Sequence, residues 1–344
     1  MRSGQFSRPA DKHLNVPYSL LGGILLLSAS LTYADSDCDI HTLKGDLHNT
    51  AELDITGLTE IHGQLTNSPT GDILIRGSNT KITGLAVNNG RMEILHANVN
   101  FQRGLINNNT LLFDPSTITV STLTVGPNGY LAESGDPGDR FIITEDFINQ
   151  STRNVDWVTD NTIFQFNGGA RDVDNPQTLE TAAADLGNFT SGWQNNFVLG
   201  TLEVGTSDTY LKLLDDYDNS ANCLNGLCEI GNSEAIYVNN LTLEAGTTLD
   251  LSGLNLYVRS TFTNNGGTIL NGSVTVGELP VIAGDINGDG TLDSADILSA
   301  ARHVMGLTVL DLAQLTRGDV YPSTTGDGQI TLSDWLLITV MANQ

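Results

Sequence analysis

The chain has 344 residues, 39% of them apolar and only 16% charged, which provides enough material for a core and argues against a wholly disordered polypeptide. Its formal net charge of -25 repels phosphate backbones and anionic membrane surfaces, so neither nucleic acid nor a membrane surface is an expected partner. The length admits one large domain or two ordinary ones, and the acidity suits cation binding.

Residues 1–34 read as an export signal. Arg2, Arg8 and Lys12 give a basic start, residues 18–31 (YSLLGGILLLSASL) an apolar centre, and Thr32-Tyr33-Ala34 the small residues a signal peptidase reads. An uncleaved anchor is the competing reading, although the apolar run is short for a spanning helix. No later stretch is long and apolar enough to span a bilayer, so a secreted, extracellular protein is expected. The cysteines agree with that compartment. Cys223 and Cys228 bracket CLNGLC, whose Asn225-Gly226 pair can turn tightly enough for a disulfide, with free thiols or a metal pair as alternatives. Cys38 is left over.

From residue 35 to 277 short apolar runs alternate with Gly and Asn. The segments 63–67 (GQLTN), 84–89 (GLAVNN), 104–109 (GLINNN) and 122–126 (TLTVG) align, with Leu65, Leu85, Leu105 and Leu123 spaced 20, 20 and 18 residues apart. Between them lie alternating stretches such as DILIR (72–76) and TITVSTLTV (117–125), which predict strands. A period near twenty is what one coil of a solenoid needs, so the expected fold is mostly β, a parallel β-helix over 35–277. Asparagines near 67, 88 and 107–108 recur at the corners. There they would tolerate left-handed backbone and bond from rung to rung through stacked amides. A β-sandwich is the alternative. Residues 171–197 are less regular, with a helical turn expected near 181–186, and the ladder resumes over 235–276.

The tail changes character. In DINGDGTLDSAD (285–296), Asp285, Asn287 and Asp289 hold positions 1, 3 and 5 of a twelve-residue loop, with Gly290 at 6. Thr291 offers its carbonyl at 7, Asp293 acts at 9 through water, and Asp296 stands at 12. Alternating hard oxygens around a sharp glycine turn are what calcium requires. Pro280 and Gly284 forbid a good entering helix, whereas 294–305, ending at Gly306, predicts an exiting one. A second copy runs from Asp319 to Asp334 with Asp327 and the Gln329 carbonyl, but an insertion at 321–325 lengthens it, so a weaker second Ca²⁺ site is expected. Residues 335–341 supply a partner helix, with Trp335 and Met341 in its core.

A calcium loop with only an exiting helix, repeated once and carrying Asp at position 12, resembles the dockerin domain. The resemblance implies a small all-α calcium-binding domain over 285–344, reached through a linker at 278–284. It also implies a cohesin-like protein partner, or another cell-surface component, contacted through positions 10 and 11: Ser294 and Ala295 in the first copy, Leu332 and Ser333 in the second. The tracts 210–222, 233–262 and 263–275 in turn resemble β-helical modules of secreted bacterial proteins.

Such modules also carry polysaccharide hydrolases and lyases, which makes catalysis or glycan binding the alternative to a structural or adhesive role. Asp215, Asp216 and Asp218 around Tyr217, and Asp172 and Asp174 beside Arg171, are the carboxylates a glycosidase would use, though each sits in a turn-like context. Lys44, Arg76, Lys81 and Lys212 show no lyase motif, and His41, His48, His62 and His96 lack metal-ligand spacing. No catalytic residue is therefore assigned.

Overall fold

Short runs in which alternate residues are apolar stack turn upon turn in the computed structural model, which describes residues 25–27, 41–57, 59–205, 208–219, 234–322 and 326–343. They build a parallel β-solenoid of about 11 turns. One sheet of eleven strands includes Leu65–Asn67, Ala86–Asn88 and Leu105–Asn107, and a second includes Asn79–Ile82, Asn98–Phe101 and Thr117–Val120. A third sheet has five strands, from Glu52–Thr56 to Tyr130–Glu133. Parallel pairing between successive coils excludes the sandwich alternative. Ala183–Ala184 is the exception, pairing antiparallel with Glu234 and Ala235 where a helical turn was expected; the irregular region instead holds a 3₁₀ turn at Thr190–Trp193.

Register follows the pleat. Leu47, Leu65, Ala86, Leu105, Leu123 and Phe147 are successive partners and fill one column of the core. The residue in this column is thus Ala86, not Leu85, which is only half-buried. Two adjacent apolar residues leave the alternation ambiguous by one position, and strand pairing resolves it. Aromatic rings continue the stack in later turns, with Phe141 parallel to Phe164 at 5.3 Å and edge-on to Phe113 at 5.1 Å.

The asparagine column is buried. Asn49 Nδ2 donates to Asn67 Oδ1 (2.9 Å), Asn67 Nδ2 to Asn88 Oδ1 (2.8 Å) and Asn88 Nδ2 to Asn107 Oδ1 (2.7 Å). Each amide therefore satisfies the next turn's in a place without water. The ladder asparagines end ordinary strands and are not among the residues with left-handed backbone, so that part of the expectation is corrected. Close approach explains the neighbouring glycine: a Cβ at Gly71 would run into Asn67 Oδ1. Outside, opposite charges pair between turns, Arg76 with Asp54, Lys81 with Glu60 and Arg91 with Asp72.

The third sheet stops at Glu133. Later turns carry insertions and two ten-residue strands, Glu234–Leu243 and Asn255–Asn264, whose pairing shifts between Val238 and Asn240. Beyond the solenoid come three short helices: α1 (Ser294–Val304), α2 (Leu312–Gly318) and α3 (Leu332–Met341). Their own core joins Ile286, Ala300, Leu310, Val320, Ile330 and Ile338, with Trp335 packed against it. Among the described residues no helix is long and apolar enough to cross a membrane. Leu25–Leu27, within the expected export signal, forms a strand beside Leu47–Asn49, while the rest of that signal and Cys38, Cys223 and Cys228 lie outside the described residues.

Candidate metal centre

Position 1 of the first loop anchors the turn. Asp285 is 1% exposed; its Oδ1 accepts from the N–H groups of Gly288 (2.8 Å) and Asp289 (3.2 Å), and its Oδ2 from that of Gly290 (2.9 Å). Asp296, fully buried, closes the loop by accepting from Asn287 N (3.1 Å) and Asp293 N (2.9 Å). The same residue completes the capping box of α1, whose N-cap is Asp293. The remaining side chains lie at the surface. Asp289 accepts from the hydroxyl of Thr291 (2.6 Å) and from Asn287 Nδ2 (2.8 Å), and these bonds hold its carboxyl below the usual range.

The second loop repeats this plan. Asp319 accepts from Asp327 N (3.1 Å) and Gly328 N (2.7 Å), and buried Asp334 from Val320 N (3.0 Å), Tyr321 N (2.8 Å) and Thr331 N (2.8 Å). Tyr321 N thus does for Asp334 what Asn287 N does for Asp296, which puts Tyr321 at position 3. A phenol replaces the amide oxygen there, and residues 323–325 of the insertion lie outside the described residues. Burial raises the Asp319 pKa, an effect opposed by the two N–H bonds. Gln329 N bonds to Asp327 Oδ1 (3.0 Å), and the Gln329 side chain is exposed.

All the predicted ligands therefore fall into two loops folded on one scheme, and every donor atom in them is a hard oxygen. Arg317, whose charge acts on Asp285 and Asp296, directs Nε and Nη2 to main-chain carbonyls rather than to those carboxylates. Among the described residues, no three His, Cys, Asp or Glu side chains already converge as a cage. Ser294, Ala295, Leu332 and Ser333 are all exposed, and on α3 Leu332, Leu336 and Val340 lie in one row at 54–56% exposure.

The other acidic segments serve turns. Asp172 Oδ1 accepts from Asp174 N and Asn175 N, both at 3.0 Å, an Asx turn beside Arg171. The 215–218 segment wraps a residue that sequence reasoning missed: Glu180, 4% exposed, takes the N–H groups of Asp216 (2.6 Å) and Tyr217 (2.7 Å). Burial lifts its pKa to about 7 in spite of those bonds. Among the suggested bases, Arg76 and Lys81 are held in the ion pairs between turns.

A second missed group is Arg317, together with α2, whose Asp311–Gln314 capping box was a readable signal. Compared with protein-family models, with curated proteins and with solved structures, the chain matches none.

Proposed function

We propose that this is an extracellular structural protein in which a β-solenoid carries a C-terminal calcium module that attaches it to a protein partner. The observation that carries the reading is the repeated loop plan: in both copies main-chain N–H groups fold the chain around a conserved pair of positions, 1 and 12, whose carboxylates are wholly or largely buried. Burying a carboxylate is costly unless its charge is paired or coordinates a cation. In the first loop Asp285, Asn287, Asp289, the Thr291 carbonyl and Asp296 would hold Ca²⁺, with Asp293 acting through water. In the second, Asp319, Asp327, the Gln329 carbonyl and Asp334 would do so more weakly, because the phenol of Tyr321 stands where Asn287 offers a short amide. The ion supplies divalent positive charge that offsets carboxylate repulsion and makes metal binding part of folding.

Attachment follows from the exposed positions 294–295 and 332–333 together with the apolar row on α3, which leaves the tail with a surface suited to a protein partner of the cohesin kind. Calorimetry of the full chain with calcium tests the metal reading. Saturable heat is expected in the wild type, and an Asp285→Ala, Asp289→Ala double variant should lose the stronger site. Equal heats from the two proteins would defeat it.

A further inference from the structure

The first loop is fastened to the solenoid as well as to its own helix. Arg317, 6% exposed near the end of α2, donates from Nε to the Asp285 carbonyl (2.9 Å) and from Nη2 to the Ile286 carbonyl (2.8 Å), while its own carbonyl accepts from Gly284 N (2.8 Å). Three hydrogen bonds thus staple the start of the loop to one guanidinium-bearing residue. That guanidinium lies over the ring of Phe189, 4.4 Å from its centroid, and Phe189 sits in the irregular stretch between solenoid strands, just before the 3₁₀ turn. The loop itself leans on the same pair. A Cβ at Gly288 would stand 3.0 Å from Phe189 Cζ and 3.1 Å from Arg317 Nη2.

Phe189 is in turn firmly placed. Leu279 exchanges main-chain bonds with its neighbours, through Leu279 N to Asn188 O and Thr190 N to Leu279 O, both at 2.9 Å. Leu186 N and Gly187 O share the hydroxyl of buried Tyr237, each at 2.9 Å. Ala184 and Leu186 pack against Leu312 of α2 in a small apolar cluster of their own. The 184–190 segment is therefore a bracket, fixed to the solenoid core on one side and to the tail on the other.

We propose that this bracket is part of the first cation site: Phe189 is a positioning residue that, through Arg317, holds the 285–288 backbone in its binding form, so the solenoid sets the calcium affinity of the first loop. The proposal rests on the calcium reading above and adds the element that tunes it. A loop held in place beforehand loses less freedom when the ion arrives. By reciprocity, the ion must stabilise the bracket as much as the bracket favours the ion. The second loop, which makes no such contact with Phe189 among the described residues, serves as the internal control.

Full-length wild type, Phe189→Ala and Phe189→Leu are titrated with calcium by calorimetry. Phe189→Ala is expected to weaken the stronger site about fivefold to tenfold, the order of a buried cation–π contact, and to leave the weaker site unchanged; Phe189→Leu, which keeps apolar bulk but has no ring face, should weaken it too. Hydrogen exchange on the unmodified protein gives a readout independent of variant folding: calcium should slow the amides of residues 186–190. Unchanged affinity in folded Phe189→Ala, or exchange at 186–190 indifferent to calcium, overturns the proposal alone. A wild type that takes up no calcium overturns the calcium reading as well.

Discussion

In the solenoid, the Asn67 amide bonds to Asn49 on one side and Asn88 on the other; in the tail, the Asp285 carboxylate accepts from N–H groups of its own loop. Both arrangements satisfy buried polar side chains, but they distribute the burden differently. A solenoid residue shares its role with copies a turn away, so stability is roughly a sum over similar interfaces. The tail concentrates its order on three buried carboxylates, Asp285, Asp296 and Asp334, each fastening its own loop, which the other copy cannot close for it. Repetition makes the solenoid tolerant, and concentration makes the tail responsive.

The sharpest way to break that contrast is to damage the solenoid far from the tail. Phe141→Ala removes a fully buried ring stacked on Phe164 and edge-on to Phe113, and should lower solenoid stability by about 3–5 kcal/mol in denaturant unfolding. The calcium titration should stay as in the wild type. If calcium binding falls in parallel, the two regions are one cooperative unit and the contrast fails.

A smaller effect separates them by pH. Asp139 is fully buried, and burial lifts its pKa to about 7, helped by the charges of Glu133, Asp114 and Asp136 and opposed by the bond from Ser116 N (2.8 Å). Because the folded value lies above the ordinary 3.8, this group's contribution is complete below about pH 4 and is lost as pH rises through about 7. Unfolding should show the solenoid weaker at pH 8 than at pH 5 by roughly 2 kcal/mol from this group, and Asp139→Asn should flatten the slope. The cation binding proposed for the tail would run the other way, since ligand carboxylates must be ionised. A solenoid that gains stability between those two pH values would count against the placement of Asp139.

The smallest expected change tests the sharing itself. Asn88→Ala leaves Asn67 Nδ2 and Asn107 Oδ1 without their ladder partner, at a cost of about 1–3 kcal/mol. Asn67 retains bonds from Nδ2 to the Gly71 and Arg91 carbonyls, so the loss should stay at the low end and confined to adjacent turns in hydrogen exchange. Exchange that accelerates along the whole solenoid would show that the turns are not independent.

Local pattern carried much of this. Leucine and asparagine spacing predicts the coil, and the Asp-x-Asn-x-Asp-Gly order predicts the first loop, because both are written in neighbouring residues. Ala86 was misassigned by one position since Leu85 beside it is equally apolar, and only pairing with Leu65 and Leu105 chooses between them. Phe189 and Arg317 gave no signal: an aromatic residue in an irregular stretch and an arginine on a short helix look ordinary until the fold brings them together. Glu180 and Asp139 were hidden for the same reason, since burial, not residue type, raises their pKa values.

Successive parallel strands stand about 4.8 Å apart, so some eleven turns extend the solenoid by roughly 50 Å. Each added or deleted coil would change that span by one fixed increment while leaving the tail's mooring at Phe189 untouched. The length of the solenoid is thereby graduated in coils and can be altered without redesigning either end.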